Sequence, residues 1–392
     1  MQSLSRLRYL TSGESHGPGL TSIVEGLPSG LSLSVEDINR DLARRQKGHG
    51  RGGRMKIEKD EVTIRAGLRH GKTLGSPLCL LIENRDWQNW QNEMSPSEPT
   101  EPLKRVVKRP RPGHADLVGG LKYHFRDLRN VLERSSARET TSRVAVGAVC
   151  RRFLEDFGVK IGGHVLQVGP LRAQQRPDSV KAIWDKTEDS PLRCFDKKVE
   201  GQMVALIDEA KKKGDSLGGI FEVYVEGLVP GIGSYVHWDR KLDGRLAQAL
   251  LSIQAVKGME IGEGYQGAQS FGSQVHDEIA YDDQAKHFYR LSNRAGGLEG
   301  SMTTGEPLLV RGFLKPISTL YKPLKTVDID TKAEEAASVE RSDTCAIAAA
   351  AVIGEAVVAI TLADAYLEKF GGDSMEECLR NFKSYQEQIK AY

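Results

Sequence analysis

The chain has 392 residues, enough for one large domain or two to three ordinary ones and for a substantial buried core. Its 55 Lys and Arg against 53 Asp and Glu leave a formal charge of +2, so there is no global basic field to hold nucleic acid, and aromatics at 6% leave few stacking platforms for single strands. Five cysteines, Cys79, Cys150, Cys194, Cys345 and Cys378, are widely spaced without a Cys-x-x-Cys pair, which offers no recognisable zinc site and fits a reducing cytosol.

In chain order, MQSLSRLRYLTSGESHG carries no apolar run of signal-peptide length, so a cytoplasmic protein is expected. SGESHGPGL (12–20) places His16 between glycines, where backbone and imidazole can approach a ligand; an ordinary surface turn is the plain alternative. SVEDINRDLARR (34–45) predicts an amphipathic helix, with Ser34 and Asp37 as a near capping box and Val35, Ile38 and Leu42 at helical spacing. Arg44 and Arg45 fall in its last turn, where the macrodipole favours them. The helix runs into RQKGHGRGGRMK (45–56), in which Arg45, Lys47, Arg51, Arg54 and Lys56 are separated by glycines. This suits an RGG-type tail on a phosphate polymer, or a mobile loop whose glycines let arginines close on a small anion. KIEKDEVTIRAGL (56–68) predicts a hairpin around a Lys-Asp turn, PLCLLIENRDW a buried strand ending in charge, and QNEMSPSEPTEPL (91–103) an exposed linker.

KRPRPGHAD (108–116) sets His114 behind a rigid turn beside Arg109 and Arg111, a pattern equally suited to a solvated basic loop. ERSSARETTSR (133–143) puts Ser135, Ser136 and Arg138 at the start of a helix predicted over 139–157, whose Val146, Val149, Cys150, Phe153, Leu154 and Phe157 share a face. Unpaired N–H groups there welcome an anion, and simple capping is compatible with that. The middle hundred residues mix short strands with VKAIWDKTEDS, whose charges read as a solvated helix face; DGRLAQALLSIQAV (243–256) predicts a packed helix and GMEIGEG a glycine-broken strand. GKTLGSPLCLLI (71–82) and SMTTGEPLLVRG (301–312) hint at an internal duplication, with three or four shared positions that chance explains about as well. KPISTL (315–320) offers a phosphate cradle, and VERSDTCA (339–346) puts Arg341 and Asp343 at the N-terminus of an Ala-rich helix, where Arg341 calls for an anion and Asp343 for a capping role. CAIAAAAVIGEAVVAITLA (345–363) is nearly all apolar, but Glu355 and the alanines indicate a core helix rather than a membrane span. Alternating strands and helices with hairpin-like pairing give a mixed α+β class.

Across these clusters there are many arginines, two glycine-flanked histidines and one acid, with no metal-ligand spacing, Gly-x-Ser-x-Gly or P-loop. That combination points to ligands with more than one phosphate and to proton transfer near neutral pH.

GESHGPGLTSIVEGLP, ARRQKGHGRGGRM, RPRPGHAD, ERSSARETTSRVAVGAV, QAVKGMEIGEG, AGGLEGSMTTGEP, KPISTL and RSDTCAIAAAAVIGEA, in this order, resemble the chorismate synthase family over residues 10 to about 365. The resemblance implies a single large β-α-β sandwich-like α+β domain over residues 1–392 and a homotetramer. It also implies 1,4-anti elimination of phosphate from 5-enolpyruvylshikimate 3-phosphate to give chorismate, with reduced FMN required and NADPH as an indirect source of reducing equivalents. By motif position, His16 would protonate the leaving phosphate, His114 would protonate or stabilise the reduced flavin, and Asp343 would assist transfer of the ring proton through a flavin nitrogen. Arg45, Arg51, Arg54, Arg111, Arg138 and Arg341 become the substrate clamp. Ser136, Ala137, Arg138, Gln254, Ala255, Gly300, Lys315, Pro316, Ile317, Ser318, Thr319 and Arg341 become flavin contacts, and some members give the positions matching Arg45 and Arg51 to NADP. One departure is Gly-His-Gly where many members have Gly-Tyr-Gly, which sets His49 amid the arginines as a tolerated replacement. The rival readings are a nucleic-acid-binding protein using the loops at 45–56 and 104–111, and a flavin reductase without lyase chemistry.

Overall fold

The computed structural model describes residues 6–53 and 57–392. The N-terminal half forms β1 (Arg8–Ser12), β2 (Gly19–Glu25), α1 (Val35–Gln46), β3 (Val62–Ala66), the small hairpin β4 (Leu68–Arg69) and β5 (Lys72–Thr73), β6 (Leu78–Glu83), α2 (Asp116–Tyr123), α3 (Arg129–Ser135) and α4 (Thr140–Glu155). The C-terminal half continues with β7 (Lys160–Val168), β8 (Leu171–Arg172), α5 (Val180–Thr187), α6 (Lys197–Lys212), β9 (Gly219–Glu226), α7 (Leu242–Leu251) and β10 (Val256–Ile261). After the single turns α8 (Gly264–Gly267) and α9 (Gly272–Val275) come β11 (Ile279–Asp282), β12 (His287–Arg290), β13 (Leu298–Glu299), β14 (Met302–Thr303), β15 (Leu308–Leu314), β16 (Lys325–Val327), β17 (Glu334–Ala336), α10 (Ile347–Phe370) and α11 (Met375–Lys390).

Two antiparallel sheets, ordered β1-β2-β6-β3 and β10-β15-β9-β7-β8, enclose a layer made of α1, α4, α7 and α10. The mixed α+β reading holds, and the apolar segment at 345–363 is the central helix of that layer, buried from Ile347 through Ala359. A glycine sets how close its two main helices come. A Cβ at Gly147 of α4 would lie 2.5 Å from the Cα of Ala356 on α10, so backbone meets backbone where longer side chains would hold the helices apart. The capping box of α1 forms, Asp37 N–H donating to Ser34 Oγ at 3.1 Å and Ser34 N–H to Asp37 Oδ2 at 2.9 Å.

The hint of duplication becomes a topological repeat. Strands β1, β2, β3 and β6 pair in the same order as β7, β9, β10 and β15, with α1 and α7 at the same point between strands and α4 and α10 following. The β4–β5 and β13–β14 hairpins turn through His70-Gly71 and Gly300-Ser301, all with positive φ. Each hairpin is hooked by one threonine. Thr73 Oγ1 donates to Pro28 O at 2.6 Å and accepts from Leu31 N–H at 3.0 Å; Thr303 Oγ1 donates to Val229 O at 2.6 Å and accepts from Ile232 N–H at 2.9 Å. Few side chains are shared because the repeat is carried by backbone conformation and these hooks.

Four expectations are corrected. The hairpin at 56–68 does not form: Val62–Ala66 pairs with β6 instead, and Asp60, expected in the hairpin's turn, is buried. The helix expected over 243–256 ends at Leu251, ahead of Ala255 at φ +67°. The polar helix α5 is not simply a solvated face, since Trp184 lies 4.3 Å beneath the Arg44 guanidinium and Glu188 beyond its end pairs with Arg44 and Arg193. Arg341 and Asp343 precede α10 rather than capping it, the capping position being Ala346.

A buried ionic cluster ties the layer together: Arg44 pairs with Glu355 at 2.7 Å and Asp41 at 3.0 Å, and Arg151 with Asp41 at 2.8 Å and also with Glu355. Burial would raise the Asp41 carboxyl, but Arg151 and Arg44 hold it down at about 2. Glu188 beside Arg193 and Arg44, and Glu222 beside His164 and Arg311, are likewise held at about 2 against burial. Ordinary values are 3.8 for Asp and 4.5 for Glu, so these groups stabilise the fold fully above about pH 5, and that contribution drains away as pH falls toward 2. The urea midpoint should therefore drop steeply between pH 5 and pH 3, less so in Asp41→Asn; a flat midpoint over that range would contradict the assignment.

Candidate active site

The last turn of α1 aims Arg45 inward, where Nη2 donates to Thr140 Oγ1 and Ala137 O, both at 2.9 Å, and Nη1 lies 3.5 Å from Asp60. Arg138 donates to the other Asp60 oxygen at 2.5 Å and, through Nε, to Asn84 Oδ1 at 2.9 Å. Asn84 Nδ2 in turn donates to Gly17 O at 2.7 Å, which pins the turn carrying His16. Burial pushes the Arg45 guanidinium down to about 9, with Arg51 and Arg138 adding to the shift and Asp60 opposing it.

His16 is only 8% exposed, which disposes of the ordinary surface turn. Glu133 accepts from its backbone N–H at 2.7 Å and from Nδ1 at 2.9 Å, and Trp90 stacks on the ring with centroids 3.8 Å apart. Burial would raise the Glu133 carboxyl, but the hydrogen bond from His16 and the charge of Arg129 hold it below its ordinary value. Ser15 Oγ and Ser136 Oγ are 3.1 Å apart, so the Ser136-Ala137-Arg138 run borders the same turn.

His114 shows the same arrangement. Its Nδ1 lies 2.6 Å from Asp116 Oδ1, and Arg111 donates to both Asp116 oxygens at 2.8 and 3.0 Å. Hydrogen bonds from His114 and Arg111 outweigh burial and hold the Asp116 carboxyl far below the usual range. Arg111 also donates to Thr319 Oγ1 at 2.7 Å, while Lys315 Nζ donates to Gly113 O at 2.6 Å and Lys315 N–H to Ala255 O at 2.9 Å. Gln254 Nε2 donates to Glu139 at 3.3 Å, joining this wall to the Ser136 segment beside a cavity of about 420 Å³; its Oε1 is buried without a hydrogen-bond partner among the described residues. Arg109 stays a surface residue, paired with Glu335.

The glycine loop docks on the segment before α10. Gly52 N–H donates to Asp343 Oδ1 at 2.6 Å, Arg51 Nε lies 3.3 Å from Asp343 Oδ2, and Thr344 N–H donates to Gly50 O at 2.8 Å. A Cβ at Gly52 would sit 2.8 Å from Ser342 O, and one at Gly50 2.8 Å from Ile207, so these glycines permit close contact rather than the loose motion expected. His49 turns away from the arginines to pair with Asp208 on α6 at 2.8 Å. Arg341, half exposed, donates to Asp86 at 2.6 Å. Arg54 lies outside the described residues.

Each of the five described clamp arginines therefore has a carboxylate partner: Arg45 and Arg138 with Asp60, Arg51 with Asp343, Arg111 with Asp116, Arg341 with Asp86. Gly300 is the exception among the expected contacts. It sits at the tip of the β13–β14 hairpin, with Ser301 O accepting from Leu242 N–H at the start of α7, whereas Ala255 follows the end of that helix and Lys315 follows the end of β15. Ten helical residues span about 15 Å and seven strand residues about 23 Å. One chain does not bring Gly300 to the rest. Sequence reasoning also missed Glu133, Asp116, Asp60, Asn84, Asp86 and Trp90; the first two lie inside the quoted motifs as the acid beside each histidine.

A sequence profile of the family described as chorismate synthase matches residues 7–367. The chain is 59% identical over 388 residues to a chorismate synthase of Brevibacillus brevis, covering 98% of this chain and 100% of that one. It is 55% identical over 383 residues to that of Bacillus subtilis, covering 96% and 98%. A crystal structure of chorismate synthase superposes with a TM-score of 0.80 at 45% identity, covering 98% of this chain and 99% of that one.

Because Asp60 is the shared counter-charge of two buried guanidiniums, Asp60→Asn should destabilise the fold by about 3 kcal/mol or more in urea unfolding. Stability within about 0.5 kcal/mol of the parent would show that the arginines do not depend on it.

Proposed function

The chain belongs to the chorismate synthase family and is a lyase, and on that premise we propose that it converts 5-enolpyruvylshikimate 3-phosphate to chorismate by 1,4-anti elimination of phosphate, using reduced FMN. The observation that carries the reading is two histidines, each held at Nδ1 by a buried carboxylate, beside arginines whose guanidiniums are already fixed. In the reaction a ring C–H bond and the C–O bond to phosphate break, one double bond is gained, and phosphate leaves. With Nδ1 engaged by Glu133, a proton delivered by His16 to the leaving phosphate departs from Nε2. His114, engaged by Asp116 in the same way, would protonate or stabilise the reduced flavin when it is bound. Asp343 takes part in removing the ring proton, with Arg51 and the Gly52 amide fixing its carboxylate. Arg45, Arg51, Arg111, Arg138 and Arg341 meet the phosphate and the two carboxylates of the substrate, and Arg54 belongs to the same clamp by its motif position.

The residues present suit FMN. Gln254 offers a buried oxygen with no partner among the described residues, and Lys315 and Thr319 flank the Gly113 turn. Ser136, Ala137, Arg138, Gln254, Ala255, Lys315, Pro316, Ile317, Ser318, Thr319 and Arg341 would hold it, and the group supplies transient electron donation to the departing system. Gly300 would have to come from a second copy, which a homotetramer provides. In this reading Arg45 and Arg51 serve the substrate, and NADPH is an indirect source of reducing equivalents. We read residues 1–392 as one cytoplasmic catalytic unit acting on a small molecule, with neither nucleic acid nor membrane as partner.

Anaerobic protein with reduced FMN and enolpyruvylshikimate phosphate should release chorismate and phosphate in equal amounts; no product with fully reduced flavin would sink the reading. His16→Ala and His114→Ala should each lower turnover about a hundredfold or more while circular dichroism stays unchanged. Arg51→Ala should chiefly raise KM for the substrate, and an unchanged KM would remove the glycine loop from the clamp.

A further inference from the structure

We propose that Trp90, set by Asp86, is a positioning residue that fixes the ring plane of His16; the inference rests on His16 acting as the proton donor proposed above. Trp90 belongs to the stretch after β6 that leads into the linker at 91–103, which carries no motif of its own. Unlike that exposed linker, Trp90 is 4% exposed and lies against His16 at 3.8 Å with 23° between the planes. The Arg105 guanidinium lies 3.9 Å from the same indole centroid. Arg129, which pairs with Glu133, has its guanidinium 5.2 Å from the indole, so the ring is hemmed in by one imidazole and two guanidiniums.

The rotation of the indole is fixed as well. Its Nε1 donates to Asp86 Oδ2 at 3.2 Å, and that same oxygen accepts from Arg341 at 2.6 Å while Oδ1 accepts from Asn89 at 2.9 Å. Backbone bonds of 2.8 Å from Trp90 N–H to Trp87 O and from Met94 N–H to Trp90 O anchor the residue in its loop. The physical need is plain. An imidazole held at one nitrogen can still swing, because the second side-chain torsion of histidine is broad. Glu133 fixes Nδ1 but not the tilt of the ring; a flat surface at van der Waals distance fixes the tilt and so the direction in which Nε2 points. Proton transfer depends steeply on that direction, a misplacement of about 1 Å costing about a hundredfold.

The test measures kcat and KM anaerobically for the parent, W90F, W90L, H16A and the double variant H16A/W90L, with W90M in place of W90L if the latter does not fold. W90F keeps a flat face and should hold kcat within about threefold. W90L should lower kcat about tenfold or more while KM moves less than about threefold. In the H16A background the same change should alter kcat less than about twofold, because the effect passes through His16. W90L slowing H16A by the same factor as the parent, or W90F falling as far as W90L, would overturn the proposal. H16A turning over at the parental rate would instead overturn the proton-donor reading on which it rests.

Discussion

A guanidinium can be buried only if its charge is met, and the site is arranged around that requirement. Each described clamp arginine is anchored by a carboxylate, and the two histidines are anchored in the same way. Partnering of this kind does little for net stability, because desolvation consumes much of the Coulomb gain. What it supplies is direction: side chains with many rotamers are held to one before any ligand arrives, so binding need not order them. It also moderates the local charge. The five described arginines are aimed, half-neutralised donors rather than a bare cationic hole.

The repeat explains why residues so far apart in sequence meet. Both halves contribute to the site from the same places of the repeating unit. The chain leaving α1 brings Arg45 and the glycine loop, and the chain leaving α7 brings Gln254 and Ala255. The chain leaving β6 brings Asn84 and Asp86, and the chain leaving β15 brings Lys315 to Thr319. The segments leading into α4 and α10 bring Ser136 to Arg138 and Arg341 to Asp343. Two like halves packed through α4 and α10 thus yield one site of unlike chemistry.

Much of this was legible in the sequence, and the limits have physical causes. Helices with a local signal were read well: the capping box of α1, the stop of α4 near Gly158, the alanine-rich α10. The site motifs were legible as clusters because glycine, proline and arginine are conspicuous. Their partners were not. Asp60 looked like a turn residue because nothing local says that two arginines, 15 and 78 positions away, will surround it. Trp90 sat beside a polar linker and gave no sign of stacking on a histidine 74 positions earlier in the chain. Glycines in the loop read as flexibility because a sequence shows what a residue allows, not what packs against it. The duplication was nearly invisible because hydrogen-bonded hooks and positive φ angles leave little mark on residue identity.

The docking of the glycine loop on the segment before α10 also sets an order of events in synthesis. Gly52 and Asp343 are separated by 291 positions. At about 5 to 20 residues per second, a ribosome needs on the order of 15 to 60 s to make the second after the first. Through that interval the N-terminal sheet and α4 can assemble and α6 can receive His49, but Arg51 and Gly52 still lack their partner Asp343. The anchoring of Arg51 and Gly52 is therefore among the last features of the chain to form, and a product truncated before Asp343 lacks it.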